Sequence, residues 1–138
     1  MGLGCRSDAT VAPPAGLPYA VASRSCAPTD GPAVTIVLMA ERVQSSAPAV
    51  PSLSLHVWHP LESLRGRTFS LVGASADGAA TFHPRGTTFE TATSAVVRVT
   101  EVAADSSIEG TVDATFPASG RIRGTFHGVW IAGMPMCG

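Results

Sequence analysis

The most constraining feature of this chain is a two-residue alternation near its C-terminal end. In "IEGTVDATF" (108–116) and "IRGTFHGVW" (122–130), every second position is apolar or glycine. Successive side chains of a strand point to opposite faces, so this period predicts two strands, and a helix of 3.6 residues per turn does not produce it. The "PASG" between them supplies a turn-forming proline and glycine. We therefore predict an antiparallel hairpin with one face in the core.

The inward face of this hairpin is predicted to place five large apolar side chains in the core, and glycines stand between them. Glycine weakens a strand interior, so each inward glycine predicts a bulky group that fills the space above it. On the outward face, acidic residues of the first strand stand opposite basic residues of the second, which fits pairing. The core residues are Ile108, Val112, Phe116, Ile122 and Phe126, and the glycines are Gly110 and Gly124.

Further short segments show strand patterns. "AVTIVLMAERV" (33–43) is apolar on both faces through Met39, which predicts a buried central strand. In "SAVVRVTEVAA" (94–104) the alternation loses its phase near Thr100 and Glu101, which predicts a bulge. No segment predicts a helix longer than a turn or two. A turn at residues 77–78 is predicted to join two short strands as a hairpin.

These signals predict an all-β fold: a single antiparallel sandwich or small barrel of about seven or eight strands. The β-domain is expected over residues 33–138. Residues 1–32 are rich in proline, alanine and serine and show no period, so they predict an extended N-terminal tether with few backbone ladder bonds.

Composition excludes some functions and suggests an origin. Charged residues are 14% of the chain and the formal net charge is −1, so the basic surface of a nucleic-acid binder is missing. The longest apolar run, "AVTIVLMA" (33–40), is too short to cross a bilayer. All nine cationic residues are arginine, and lysine and asparagine are absent. This usage indicates a GC-rich bacterial genome.

Three cysteines are the most specific local signal. Cys5 opens the Pro- and Ala-rich tail, as the acylated cysteine of a bacterial lipoprotein does, and only four residues precede it, so we expect a mature or trimmed form. Cys26 closes the tail and Cys137 closes the chain. We predict a lipid anchor at Cys5 and a disulfide between Cys26 and Cys137. The alternative is three free thiols in a reducing cytosol.

A resemblance supports export. The stretch "SAVVRVTEVAADSSIEGTVDATFPASGRIRGTFHGVWIAGMPMC" (94–137) resembles the C-terminal half of uncharacterised small lipoproteins of GC-rich bacteria. They share the patterns I-x-G-T-x-D-A-x-F and G-x-I-x-G-T-F, followed by a terminal cysteine. The resemblance implies an exported β-protein of the periplasm, outer membrane or cell surface. Its motifs are structural and transfer no catalytic residue.

Few residues offer chemistry. None of the four histidines lies in a recognised metal-ligand spacing, so we predict no metal site and no cofactor. No nucleophile motif is complete, so we predict no catalytic residue. A ligand or interaction surface, if one exists, is expected to involve the aromatic and titratable side chains Trp58, Trp130, His56 and His127.

Three functional classes remain. We favour a non-enzymatic exported lipoprotein whose β-domain binds another protein or self-assembles at the bacterial envelope, with membrane contact only through the lipid anchor. The alternative is a β-domain that binds a small ligand or carbohydrate through the aromatic residues. A small β-barrel enzyme is the third class.

Overall fold

A computed structural model of the protein describes residues 12–29, 31–41, 50–103 and 106–131. The secondary structure of these residues is nine β-strands and one 3₁₀ turn at Leu61–Ser63, which confirms the all-β class. None of their helical segments is long and apolar enough to cross a membrane. The strands are β1 (Tyr19–Cys26), β2 (Pro32–Met39), β3 (Ser52–Val57), β4 (Thr68–Ser70), β5 (Gly78–Arg85), β6 (Thr88–Thr91), β7 (Ser94–Ala103), β8 (Ser107–Phe116) and β9 (Gly120–Trp130).

The strands form one curled sheet, a half-barrel, in the order β4-β7-β8-β9-β1-β2-β3-β5-β6. Neighbours run antiparallel except β1 and β9, which run parallel. Alternate residues of each strand fill the concave side with one apolar cluster, and the other residues form the convex side. The sheet is therefore mixed, and it buries its core by curling on itself.

The predicted N-terminal tether is wrong over residues 19–26, because this segment is strand β1. All eight of its residues have antiparallel partners in β2, from Tyr19 opposite Met39 to Cys26 opposite Pro32. Its other edge pairs with the end of β9. Among the described residues the sheet thus begins at Tyr19, ahead of the predicted start of the β-domain at residue 33. Only two prolines flank β1 closely and none lies inside it, so its backbone donors remain available for both ladders.

The hairpin predicted at residues 77–78 is also wrong. Strand β4, which precedes this turn, pairs with β7, whereas β5, which follows it, pairs with β3 and β6. The connection leaves one edge of the sheet and enters near the other, so it crosses the opening of the half-barrel. One bond, from the Asp77 amide to the Ser70 oxygen at 2.8 Å, is all that remains of the expected pairing.

The central strand and the bulge are confirmed. β2 lies between β1 and β3, and its residues are buried on both faces, with Ile36 on the concave side and Met39 on the convex side fully buried. In the pairing of β7 with β8, the register shifts between Val99 and Glu101, as the change of phase predicts.

The C-terminal hairpin is confirmed in register and in face. β8 and β9 pair from Ser107 opposite Val129 to Phe116 opposite Gly120. Four of the five predicted core residues are buried, and the fifth, Ile122, is half-buried and packs against the core.

The predicted large side chain is found above Gly110, whereas backbone lies above Gly124. A Cβ atom at Gly110 would lie 2.9 Å from the Phe126 Cζ and closer still to the Arg98 carbonyl oxygen. The backbone of Ala12–Pro14 occupies the space above Gly124, where a Cβ atom would lie 2.6 Å from the Ala12 oxygen. The Thr125 amide donates to that same oxygen at 2.9 Å, which fixes the segment before β1 onto β9.

Strands β5 and β6 contact the C-terminal hairpin across the opening. The rings of Phe82 in β5 and Phe116 in β8 lie 5.7 Å apart. The carboxylate of Glu90 in β6 accepts hydrogen bonds from the Ala118 and Ser119 amides in the β8–β9 turn. These contacts hold the half-barrel in its curl at the end that carries this turn.

Candidate functional site

The two tryptophans come from distant strands of the sheet, since Trp130 ends β9 and Trp58 follows β3, three strands away. Trp130 ends β9 on the concave side, where it packs against the core with the Arg24 guanidinium 5.6 Å from its ring centre. Its indole Nε1 is buried and has no hydrogen-bond partner among the described residues. Trp58 is half-buried. The two aromatics therefore do not form one ligand surface.

The two histidines of the predicted surface do not converge either. His127 lies on β9 and His56 on β3, three strands away on the same convex side. The His127 Nδ1 lies 3.5 Å from a Glu109 oxygen. Within the described part of the chain, no group of three or more His, Cys, Asp or Glu side chains is placed to hold a metal ion.

His56 belongs to a chain of hydroxyl groups across three strands. The Thr35 Oγ1 lies 3.0 Å from the His56 Nδ1 and 2.8 Å from the Ser25 Oγ. Burial of the imidazole lowers the pKa of His56 below its usual value of 6.5. The neutral ring can accept the Thr35 proton, so this chain links β1, β2 and β3 through side chains as well as through the ladder.

The cysteine predictions fall largely outside the described residues. Cys26 ends β1, while Cys5 and Cys137 both lie outside. The pairing and the lipid anchor therefore stay predictions.

An apolar strip crosses the convex side where β9 meets β1. Val129 stands opposite Val21, which in turn stands opposite Val37 of β2. Val129 is 53% exposed and Ile131 50%, and Tyr19 is 38% exposed. We call these five residues, Tyr19, Val21, Val37, Val129 and Ile131, the apolar strip. The sequence does not predict this strip, because it predicts a tether over residues 1–32 and therefore does not place Tyr19 and Val21 in the sheet.

An arginine-lined cleft of about 420 Å³ lies on the convex side of β7, β8 and β9. Arg98 and Arg123 have no ion-pair partner among the described residues, and the Thr111 hydroxyl makes no hydrogen bond within them. We call it the arginine cleft; its lining is Arg98, Thr100, Thr111, Val112, Asp113, Arg123 and Gly124. The alternation within each strand predicts that these arginines point outward. Their proximity to each other can be predicted only when the register of β7, β8 and β9 is known.

The acid at this cleft forms an ion pair with Arg121. Arg121 donates from Nε to one oxygen of Asp113 at 2.9 Å and from Nη2 to the other at 2.6 Å. The hydrogen bond from Arg121, reinforced by the charges of Arg121 and Arg123, lowers the pKa of Asp113 against a smaller opposing effect of burial. Asp113 is therefore ionised near neutral pH, and its single negative charge stands against the positive charges of Arg98, Arg121 and Arg123.

The edges of the sheet offer little to a partner strand. β4 has three residues and β6 four. Next to β6, strand β5 contains a proline and an irregular register between Phe82 and Arg85. Short and irregular edges are poor templates for strand addition, so a partner is expected on a face of the sheet.

No protein-family model matches the chain, no curated protein matches its sequence and no solved structure matches its fold. The resemblance to small bacterial lipoproteins therefore stays a prediction.

Proposed function

We propose that this protein is a non-enzymatic exported lipoprotein whose β-domain binds another protein at the bacterial cell envelope. The observation that carries the proposal is the apolar strip. Exposed apolar side chains that cluster on a soluble surface are typical of protein–protein contacts, whereas scattered ones need no explanation. Here Val129, Val21 and Val37 are consecutive neighbours across three strands.

The strip is the centre of a larger footprint. A stable interface buries about 800 Å² on each partner, more than five side chains supply, and it surrounds an apolar centre with polar groups. On the β8 side, the pair Glu109–His127 borders the strip, and on the β2 side Thr35 does so. The convex side thus offers an apolar centre within a polar rim.

Photo-crosslinking in the producing cell tests this proposal. A photoreactive benzoylphenylalanine replaces Tyr19 within the strip, and a second chain carries it at Phe89, an aromatic residue of β6 that is 67% exposed and outside the strip. We expect a discrete adduct with a different protein, identified by mass spectrometry, from position 19 only. The adduct should disappear when Val129→Ser and Ile131→Ser are added.

Three results would overturn the proposal: an adduct made of two copies of this chain, equal adducts from both positions, or an adduct that persists in the serine variant. Circular dichroism and an unfolding curve confirm that each variant is folded. The serine substitutions are neutral, so they alter the strip without altering the charge of the surface.

The proposed disulfide between Cys26 and Cys137 is supported by the direction of the chain. β9 runs parallel to β1, and the Ile131 amide continues this ladder by donating to the Ala22 oxygen at 2.8 Å. The chain therefore passes Ile131 heading the same way as β1, toward Cys26. Cys137 is six residues beyond Ile131, and six extended residues span up to about 20 Å. Cys26 is four residues beyond Ala22, about 13 Å along β1, so the chain after Ile131 is long enough to bring Cys137 to Cys26.

Non-reducing peptide mapping of the protein from its native host tests both cysteine assignments. We expect one linked peptide pair containing Cys26 and Cys137, and a lipid-modified peptide containing Cys5. A link from Cys5 to either of the other cysteines would refute the anchor assignment.

A further inference from the structure

We propose that the arginine cleft receives an acidic side chain of the partner protein, an aspartate or glutamate bound between Arg98 and Arg123. This inference rests on the proposed function, since it names the chemistry of the partner. It is carried by a separate observation, namely that Arg98 and Arg123 make no hydrogen bond or close ion pair among the described residues and line, with Thr111, a cleft of about 420 Å³.

The register places these groups around one point. Arg98 of β7 stands opposite Thr111 of β8, and Arg123 of β9 stands opposite the next outward residue of β8, Asp113. Two arginines thus flank Thr111 from the strands on either side. Guanidinium groups donate paired hydrogen bonds that match the two oxygens of a carboxylate, and a hydroxyl supplies one more donor.

The cleft carries a net positive charge. Arg121 binds both oxygens of Asp113, and Arg98 and Arg123 add two further positive charges. The arginines attract an anionic ligand and Asp113 repels it, and both effects grow with the charge of the ligand. We assign a carboxylate because it is the anionic group that a partner protein carries on its own side chains, and inorganic phosphate is the competing ligand in the test.

The same face of a second copy does not supply the acid, because both carboxylates of the hairpin's convex side are engaged, Asp113 with Arg121 and Glu109 with His127. We therefore assign the acidic group to a different protein. The cleft and the apolar strip are close enough for one partner to cover both. Arg98 is level with Thr125 of β9, and Val129 of the strip lies four residues farther along β9, about 13 Å from Thr125.

Fluorescence anisotropy with fluorescein-labelled hexaglutamate tests the inference on the full chain at low ionic strength. We expect saturable binding that weakens at least tenfold in the double variant R98A/R123A. The control R67A/R85A removes the same charge elsewhere on the surface and should change the dissociation constant less than twofold. Asp113→Asn removes the carboxylate of the cleft and should tighten binding about threefold, the opposite direction.

Inorganic phosphate serves as the competing probe. We expect it to displace hexaglutamate no better than chloride at equal ionic strength, whereas displacement at far lower phosphate concentrations would mean that the cleft is a phosphate site and would overturn the inference. Absence of hexaglutamate binding, or an equal loss in both double variants, would overturn it as well.

These experiments distinguish a failure of the acidic-group proposal from a failure of the protein-binding proposal. The Val129→Ser and Ile131→Ser chain should lose its crosslink and still bind hexaglutamate as the unmodified chain does. If hexaglutamate binding is absent while the crosslink at position 19 remains specific, the acidic partner group is refuted and the protein-binding function stands.

Discussion

The C-terminal hairpin and strand β1 all lie inside the sheet with a neighbour on each side, but they are encoded in different ways. β8 and β9 alternate strictly, and every pair between these two strands joins residues at most 22 positions apart in the chain, from 107 to 129. β1 is half-exposed over most of its length and pairs with residues up to 108 positions away, from 20 to 128. Because β2 and the distant β9 hold β1 between them, the sequence of β1 itself carries only a weak strand pattern.

The largest expected effect tests the core of the hairpin. Phe126 is buried and its ring fills the space above Gly110. Phe126→Ala should lower the free energy of unfolding by about 3 to 5 kcal/mol, because it removes buried apolar surface and leaves a cavity. Urea denaturation measures this change. Arg123→Ala, on the convex side of the same strand, is the control and should cost less than about 1 kcal/mol; a larger loss from Arg123→Ala would invert the two faces.

The next effect tests how the N-terminal segment is attached to the hairpin. A Cβ at Gly124 meets the backbone of Ala12–Pro14, which cannot yield as a flexible side chain does. Gly124→Ala should cost about 1 to 3 kcal/mol and speed exchange of the Thr125 amide, which binds the Ala12 oxygen. Gly86→Ala, where a Cβ meets nothing within 4 Å, is the matched control. Unchanged exchange at Thr125 would mean that this contact does not hold the segment.

A smaller effect tests the side-chain link between β1 and β3. The pKa of His56 is lower in the folded state than in the unfolded state, where it is close to 6.5. The unfolded chain therefore takes up the proton first, and stability falls as the pH drops below about 6.5 toward the folded-state value. His56→Gln should flatten this part of the pH–stability curve, because glutamine has no proton to gain in this range. A curve that His56→Gln does not change would refute the assignment.

The smallest effect belongs to the pair on the convex side of the hairpin. The lowered pKa of Asp113 means that its contribution is present above its usual value of 3.8 and is lost as the pH falls through the folded-state value. Because the pair is exposed, solvent screens most of this contribution. Asp113→Asn should leave the urea midpoint at pH 6 almost unchanged and should abolish its small dependence on salt. A large shift would show that the pair stabilises the hairpin register.

The sequence predicts elements whose information is local and misses those that depend on distant partners. The register of β8 with β9, the bulge near Thr100 and the buried β2 follow from period, phase and composition. The turn at residues 77–78 misleads because its residues favour a reversal, while β4 finds its partner in β7. For the site, the outward arginines are predictable one by one. Their convergence is not, because Arg98 and Arg123 come from strands separated by β8.

The parallel contact between β1 and β9 also bears on the order in which the sheet can be completed. In synthesis or export that proceeds from the N-terminus, β1 emerges early with β2 and β3, and one of its edges stays open until more than a hundred further residues have followed. Among the strands of the described residues, β9 emerges last, and it is the strand that joins β1 to β8. Contacts between residues so far apart in the chain form slowly, so one edge of β1 stays unpaired until β9 has emerged. A chain truncated before β9 is expected to aggregate through this edge.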